Sequence, residues 1–352
     1  MEVSIPREHT DASMAMVACA IAATGLLAAA PAMAQVGYAG KTVEMIVGSD
    51  AGNPFDIYSR LIAKYMAKHI PGNPTFITKN LPGAAGNKAA AYIYSIAAKD
   101  GLTIGSVSPG SIMGPLTDGS LKAQFEPTRF EYLGSADNAA RVCVTYHTSP
   151  IKTFDQARTG RVIVGATAGG GASSDYPTLL NAIAGTKFEI VSGYKGVGEY
   201  LLAMERGEVD GTCTGWPVFP STRPDWVRDK KINILMQFGV EAYPEFTRMG
   251  VPEVWSYLKN DDDRKMMELM VSQQQFQRPY ILPPGTPKDA VEILRTAFDK
   301  ALIDKDLLAE ADKSKLTVNI TTGAQVKDLV DRIYATSPAL VDRFQKTMAP
   351  GK

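Results

Sequence analysis

The chain has 352 residues, 45% of them hydrophobic, and its 37 lysines and arginines balance 37 aspartates and glutamates. That balance gives no electrostatic drive toward nucleic acid or a membrane surface as partner, and the length suits two domains of ordinary size. Three cysteines and three histidines are too few for a zinc site built on Cys/His spacing.

Residues 15–34, AMVACAIAATGLLAAAPAMA, form a short apolar core that closes on Ala32-Met33-Ala34. A small–x–small triplet after such a core marks a secretory signal peptide, with cleavage expected after Ala34. Pro31 and the brevity of the run argue against a full membrane span of ~20 residues. The stretch before it holds Arg7 but also Glu2, Glu8 and Asp11, so the leader starts less basic than it should, and Met14 is an alternative start. Residues 1–34 are therefore read as a leader and the remainder as an exported chain, expected in the periplasm. An oxidising compartment would let Cys143 and Cys213 pair; two separate buried thiols fit their surroundings, RVCVTY and GTCTGW, equally well.

After the leader one pattern recurs: a β-branched run, a small-residue loop, then an amphipathic segment. It begins with VEMIVGSDAGNPFDIYSRLIAKYM at residues 43–66. Tyr58, Leu61, Ile62, Tyr65 and Met66 repeat at helical spacing and define an apolar stripe, while Arg60, Lys64 and Lys68 fall outside it. TFITKN runs into LPGAAGNKAAAYIYSIA, and LTIGSVS (102–108) runs into Pro109-Gly110-Ser111. RVIVGAT (161–167) leads to a glycine- and serine-rich loop, FEIVSGY (188–194) to Lys195-Gly196-Val197-Gly198, and VDGTCTG (209–215) to Trp216-Pro217. Strands alternating with helices predict a mainly parallel sheet with helices on both faces. Asp261-Asp262-Asp263 reads as a solvated helix start. Further on, Thr286 is the expected N-cap of a helix with Pro287 at its first position.

Helix starts at strand ends offer unpaired N–H groups and a positive dipole end to anions. Whether they serve catalysis depends on acid–base groups. Gly48-Ser49-Asp50-Ala51-Gly52 has the outline of a nucleophile elbow with Asp50 as attacking group, which would make the chain an exported hydrolase-like enzyme. That mechanism needs a histidine base later in the chain. Only His69 and His147 follow the leader, and none lies beyond 147. No phosphate-binding GxxxxGK[ST] loop, dinucleotide-binding glycine spacing or H-E-x-x-H is present. The expectation is a binding protein with no cofactor and no metal.

Several segments carry a family likeness: the G-x-x-x-G-N-x-x-D loop after the first strand, the arginine-bearing amphipathic helix behind it, NLPGAAGN, AAKDGLTIG, GYKGVGEYLLAMERGEVDG and LPPGTPKDAVEILRTAF. Together these resemble the extracytoplasmic solute receptors of the tripartite tricarboxylate transporter system, the Bug family, over residues 41–346. The resemblance implies a type 2 periplasmic-binding-protein fold, two α/β lobes joined by two crossing strands. One lobe would comprise residues 40–140 plus 238–352 and the other 141–237, with crossings near Arg141-Val142-Cys143 and Met236-Gln237-Phe238. It further implies a monomeric receptor that captures a small carboxylate, a di- or tricarboxylate or an aromatic acid, and delivers it to the membrane permease of such a transporter. A ligand-binding subunit of a sensory system is the alternative partner.

Carried over by position, the first carboxylate site would be formed by Ser49, Asp50, Ala51, Gly52, Asn53 and Phe55, by Gly83, Ala84, Ala85, Gly86 and Asn87, and by Ser108, mainly through main-chain N–H groups. Across the cleft stand Thr167, Ser173 and Ser174 at a helix start, then Tyr194, Lys195, Asp210 and Trp216. Arg141, at a crossing strand, would offer a guanidinium for bidentate contact with a carboxylate. The first loop departs from the family pattern at Asp50, which sets a carboxylate where an anion should bind. Either it points away or the ligand also carries a cationic or hydroxyl group.

Overall fold

The computed structural model describes residues 37–349 except 118, 123 and 168–170, together with Met1, Glu2 and Ser4. Apart from those three residues the expected leader, its cleavage point included, lies outside the described residues.

Eleven strands follow in chain order: β1 Thr42–Val47, β2 Thr75–Asn80, β3 Thr103–Ser106, β4 Glu131–Ser135, β5 Arg141–Tyr146, β6 Val162–Ala166, β7 Phe188–Ser192, β8 Gly211–Gly215, β9 Ile232–Phe238, β10 Pro279–Leu282 and β11 Thr321–Thr322. They form two sheets, ordered β11-β4-β10-β3-β1-β2 and β7-β6-β8-β5-β9. All six strand–loop–helix units found in the sequence are present. Their strands pair in parallel as β2-β1-β3 in one sheet and β7-β6-β8 in the other.

The sheets are mixed, which corrects the expectation of mainly parallel pairing. β10 inserts antiparallel between β3 and β4, and β5 runs antiparallel to both β8 and β9. These strands arrive from the crossings between the sheets, so they enter at the end where the parallel strands finish. Pro279 pairs with Ser135, Tyr280 with Ser106, and Arg141 with both Gly215 and Phe238. The carboxyl ends of β1, β3 and β4 and the start of β10 thus share one edge. The ends of β6, β8 and β9 and the start of β5 share another. Only residues 136–140 separate β4 from β5.

The helix Pro54–Met66 buries the predicted stripe, Tyr58, Leu61, Ile62, Tyr65 and Met66, while Arg60, Lys64 and Lys68 are exposed. Its partners are β1 and the helix Lys288–Leu302, through Val43, Met45, Leu294 and Phe298. Each large apolar side chain buried there contributes roughly 1.5–3 kcal/mol, so this packing rather than intrinsic propensity fixes the helix start. Helix Lys288–Leu302 begins one residue later than predicted. Pro287, with ψ 139°, is its N-cap, and the Thr286 hydroxyl donates to the Pro283 carbonyl instead of capping.

In the second sheet, Leu179, Leu180 and Ile183 of the helix Ala172–Ile183 share a core with Met266 and Met270 of helix Asp261–Gln275 and with Leu340 and Phe344 of helix Pro338–Met348. Two C-terminal helices therefore touch the second sheet's helix layer as well as the first's. Cys143 and Cys213 face one another in the β5–β8 register, are both buried, and form a disulfide. Asp263 stands in the first helical turn, where its N–H donates to Asn260 Oδ1, but it is buried and not solvated as expected, because its carboxylate pairs with Arg343 at 2.9 Å.

Candidate functional site

At the carboxyl ends of β1, β2 and β3 three loops enclose a cavity of about 310 Å³. Its walls are Gly48, Ser49, Asp50, Asn53, Phe55, Pro82, Gly83, Ala85, Gly86, Ser106, Val107 and Ser108. Of the residues named from the sequence, Ser49, Asp50, Asn53, Phe55, Gly83, Ala85, Gly86 and Ser108 are thereby brought together. Asp50 is exposed and lines this cavity.

The loops approach so closely because small residues permit it. A Cβ on Gly48 would stand 3.1 Å from the Gly86 Cα, and one on Gly86 would stand 3.2 Å from both the Ser108 and Ser111 hydroxyls. The run Gly83-Ala84-Ala85-Gly86 has φ of 136°, 47°, 53° and 97°. Four successive residues at positive φ turn the chain sharply, and the two alanines hold a conformation that costs roughly 1–2 kcal/mol per non-glycine residue. Strain of this kind persists where surrounding contacts fix it, and it concentrates at ligand clamps.

The Ser108 hydroxyl donates to the Ala85 carbonyl at 2.7 Å and holds that run; the loop facing it is braced by Asp56, the aspartate of the G-x-x-x-G-N-x-x-D pattern. Its buried carboxylate accepts hydrogen bonds from the Gly52 N–H at 2.9 Å, the Asn80 amide at 2.9 Å and Arg60 Nε at 3.0 Å. Asn80 also donates to the Ser49 carbonyl. Burial pushes the Asp56 carboxyl up, but the Arg60, Gly52 and Asn80 bonds outweigh it and hold the group below its ordinary range. Asn53 caps its helix by accepting from the Phe55 N–H, and the Gly86 N–H donates to the Gly83 carbonyl. The amides of Gly52, Asn53, Phe55 and Gly86 are therefore occupied within the fold. Those of Ser49, Asp50, Gly83 and Ser108 have no partner among the described residues. Ala51, Ala84 and Asn87 do not line the cavity.

None of the candidates from the second sheet lines this cavity. The Ser173 hydroxyl accepts from the Thr167 N–H, and the Ser174 hydroxyl donates to the Gly171 carbonyl and to Asp175, so both serines act within their own loop. Tyr194 packs edge-on to Tyr200, and Lys195 is exposed. Asp210 lies before β8, at the opposite end of the sheet from Trp216. Its carboxylate binds the Ile163 N–H and the Ser149 hydroxyl, a structural task. Trp216 meets Phe246 edge-on at 5.1 Å and lines a separate hollow with Trp226 and Met249. Arg141 stands at the start of β5, half-buried.

His69, the base an Asp50 nucleophile would need nearest in sequence, is paired with Asp304 at 3.3 Å and does not line the cavity. The His147 ring packs against Tyr146, tilted by 54° with the centroids 4.5 Å apart. Among the described residues no cluster of three or more His, Cys, Asp or Glu side chains could hold a metal ion.

Two α/β sheets, joined by two crossings of the chain and with ligand-sized space at the strand ends, define a two-lobed periplasmic-binding-protein fold. Solved structures carry the same architecture. A TctC solute-binding protein from Polaromonas superposes with a TM-score of 0.68 at 17% identity, covering 87% of this chain and 99% of that one. The periplasmic binding protein BugD gives 0.51 at 19% identity, covering 88% and 98%. An R. palustris protein solved with adipate gives 0.52 at 19% identity, covering 88% and 97%. In sequence the chain is 27% identical over 198 residues to a UPF0065 protein in the TAR-I ttuE-ttuC' intergenic region of Agrobacterium vitis, over 52% of this chain and 53% of that relative. The match thus spans about half the length of the curated relative. No family model matches the chain. The resemblance to tripartite tricarboxylate solute receptors read from the sequence stands, with TctC and Bug proteins as structural neighbours.

Proposed function

We propose that the protein is a periplasmic receptor that captures a small organic acid in the cavity at the β1–β3 strand ends and delivers it, unaltered, to a membrane permease of the tripartite tricarboxylate type. The observation that carries this reading is the set of unpartnered N–H groups on Ser49, Asp50, Gly83 and Ser108 around a ligand-sized space. Main-chain donors on a braced loop bind a carboxylate with little loss of conformational entropy. The cavity walls include one carboxylate and no histidine or lysine, which fits capture better than acid–base chemistry. Two structural neighbours from R. palustris were solved with adipate and with malate, which makes short organic acids the first ligands to try.

The test is a thermal-shift screen of mono-, di- and tricarboxylates and aromatic acids. An acid present at 100 times its Kd should add about 2.7 kcal/mol to the stability. A folded protein that responds to nothing in such a panel would refute the reading.

A further inference from the structure

A second hollow lies on β9, in the other sheet, and shares no wall with the strand-end cavity. It encloses about 460 Å³. Trp216, Trp226, Ile232, Ile234 and Met249 make it apolar together with two valines, and among its described walls Lys230 alone is charged. A space of this size, mostly apolar with a few polar groups to orient a guest, has the make-up of a small-molecule site.

The strand order explains why the space is open. β9 is an edge strand whose one neighbour in the sheet is β5. The returning chain meets its free side at Gln237, whose N–H donates to the Pro252 carbonyl. Toward the start of β9 the edge is bare. The His147 N–H donates to the Lys231 carbonyl, and Tyr146 stands opposite Ile232. In an antiparallel ladder this makes Tyr146–Ile232 a non-hydrogen-bonded pair. The main-chain groups of Ile232, and of Ile234 two residues on, therefore turn away from β5, and among the described residues they have no partner.

The polar side chains of the hollow are uncommitted too. Neighbouring cations are paired, Arg228 with Asp229 at 2.7 Å and Lys231 with Asp225 at 2.8 Å. Lys230 is exposed and has no carboxylate within salt-bridge distance among the described residues. The Trp226 indole N–H donates to Glu205 at 3.2 Å, which fixes that ring. The half-buried Trp216 indole N–H makes no hydrogen bond to a described residue. Met249, 60% exposed, is a flexible apolar side chain suited to lying over a guest. An exposed lysine adds only about two- to fivefold to the affinity for an anion, so the apolar walls have to carry most of the binding, at about fourfold for each methylene taken out of water.

We propose that this hollow is an accessory site for an amphipathic monoanion, an apolar chain ending in one carboxylate, whose body lies on Trp216, Ile232 and Ile234 and whose carboxylate meets Lys230. The site is independent of the receptor reading: it uses other residues, another sheet and a ligand unlike a short polyacid.

Two of the chain's three tryptophans wall the hollow, so indole fluorescence reads its occupancy. The probes are butanoate, hexanoate and octanoate, with 1-octanol as the uncharged counterpart. Affinity should rise about tenfold for each pair of methylenes added, and octanoate should bind about two- to fivefold more tightly than 1-octanol. Lys230→Gln should remove the preference for octanoate and leave 1-octanol binding within about twofold. Met249→Asp, which sets a carboxylate on the wall, should weaken octanoate more than 1-octanol. Circular dichroism verifies that both variants are folded. No saturable fluorescence change in folded wild type, an affinity that ignores chain length, or octanoate and 1-octanol bound alike overturns the site. So does an octanoate response that both substitutions leave unchanged, which would put the binding in another cavity.

Discussion

The Asn80 side-chain amide donates to Asp56 Oδ1 at 2.9 Å, joining the end of β2 to the first turn of the helix behind β1. Through this bond, and through the Asn80 contact with the Ser49 carbonyl, the two loops that wall the cavity are held as one piece. The unpartnered amides depend on that bracing for their positions.

Acid should loosen it. The folded pKa of Asp56 lies below its ordinary value of about 3.9. Its contribution is therefore complete above that ordinary value and is lost as the pH falls through the lower, folded one. Asp56→Asn removes the charge and should cost about 1.5–3 kcal/mol at neutral pH, the range for buried hydrogen bonds to a charged group. Urea melts at pH 7 and pH 3 measure both effects. Wild type should lose more stability between these pH values than Asp56→Asn does; parallel losses would remove Asp56 from the account.

The left-handed run offers a second handle. Ala85→Gly relieves a strain of roughly 1–2 kcal/mol and gives back about 0.5–1 kcal/mol in chain entropy, so a small net gain in stability is expected. Gly86→Ala should act in the other direction, by about 1–2 kcal/mol, since φ is 97° and the added methyl meets two serine hydroxyls. Chemical denaturation reads both, and a destabilised Ala85→Gly would show that the turn is not strained.

The Cys143–Cys213 bridge spans 70 residues of sequence. Replacing both cysteines with alanine should lower stability by about 2–4 kcal/mol, chiefly by freeing the unfolded chain. A reductant should lower the melting temperature of wild type and leave that of the double variant unchanged. If reductant affects the two equally, the bridge contributes nothing to folding.

Much of the fold was legible because its signals are local. The stripe from Tyr58 to Met66 and the six strand–loop–helix starts rest on periodicity and glycine placement, and both survive in the structure. The antiparallel strands were not legible, because β5 and β10 owe their direction to where the chain crosses between sheets. Thr286 misled because a capping hydroxyl and a turn-closing hydroxyl look alike in sequence; the Pro283 carbonyl decided between them. Within the site, the glycine loops announced the cavity. Asp56 did not, since an acid in a first turn is ordinary and only the approach of Asn80, 24 residues on, gives it a role.

The central claim is that main-chain amides of the β1–β3 loops grip the acid directly. The most direct test is amide NMR of isotopically labelled protein, titrated with the tightest-binding acid from the panel. The account predicts that the Ser49, Asp50, Gly83 and Ser108 amide resonances shift together and saturate at one common Kd. Resonances at those four positions that stay still while others move would contradict it.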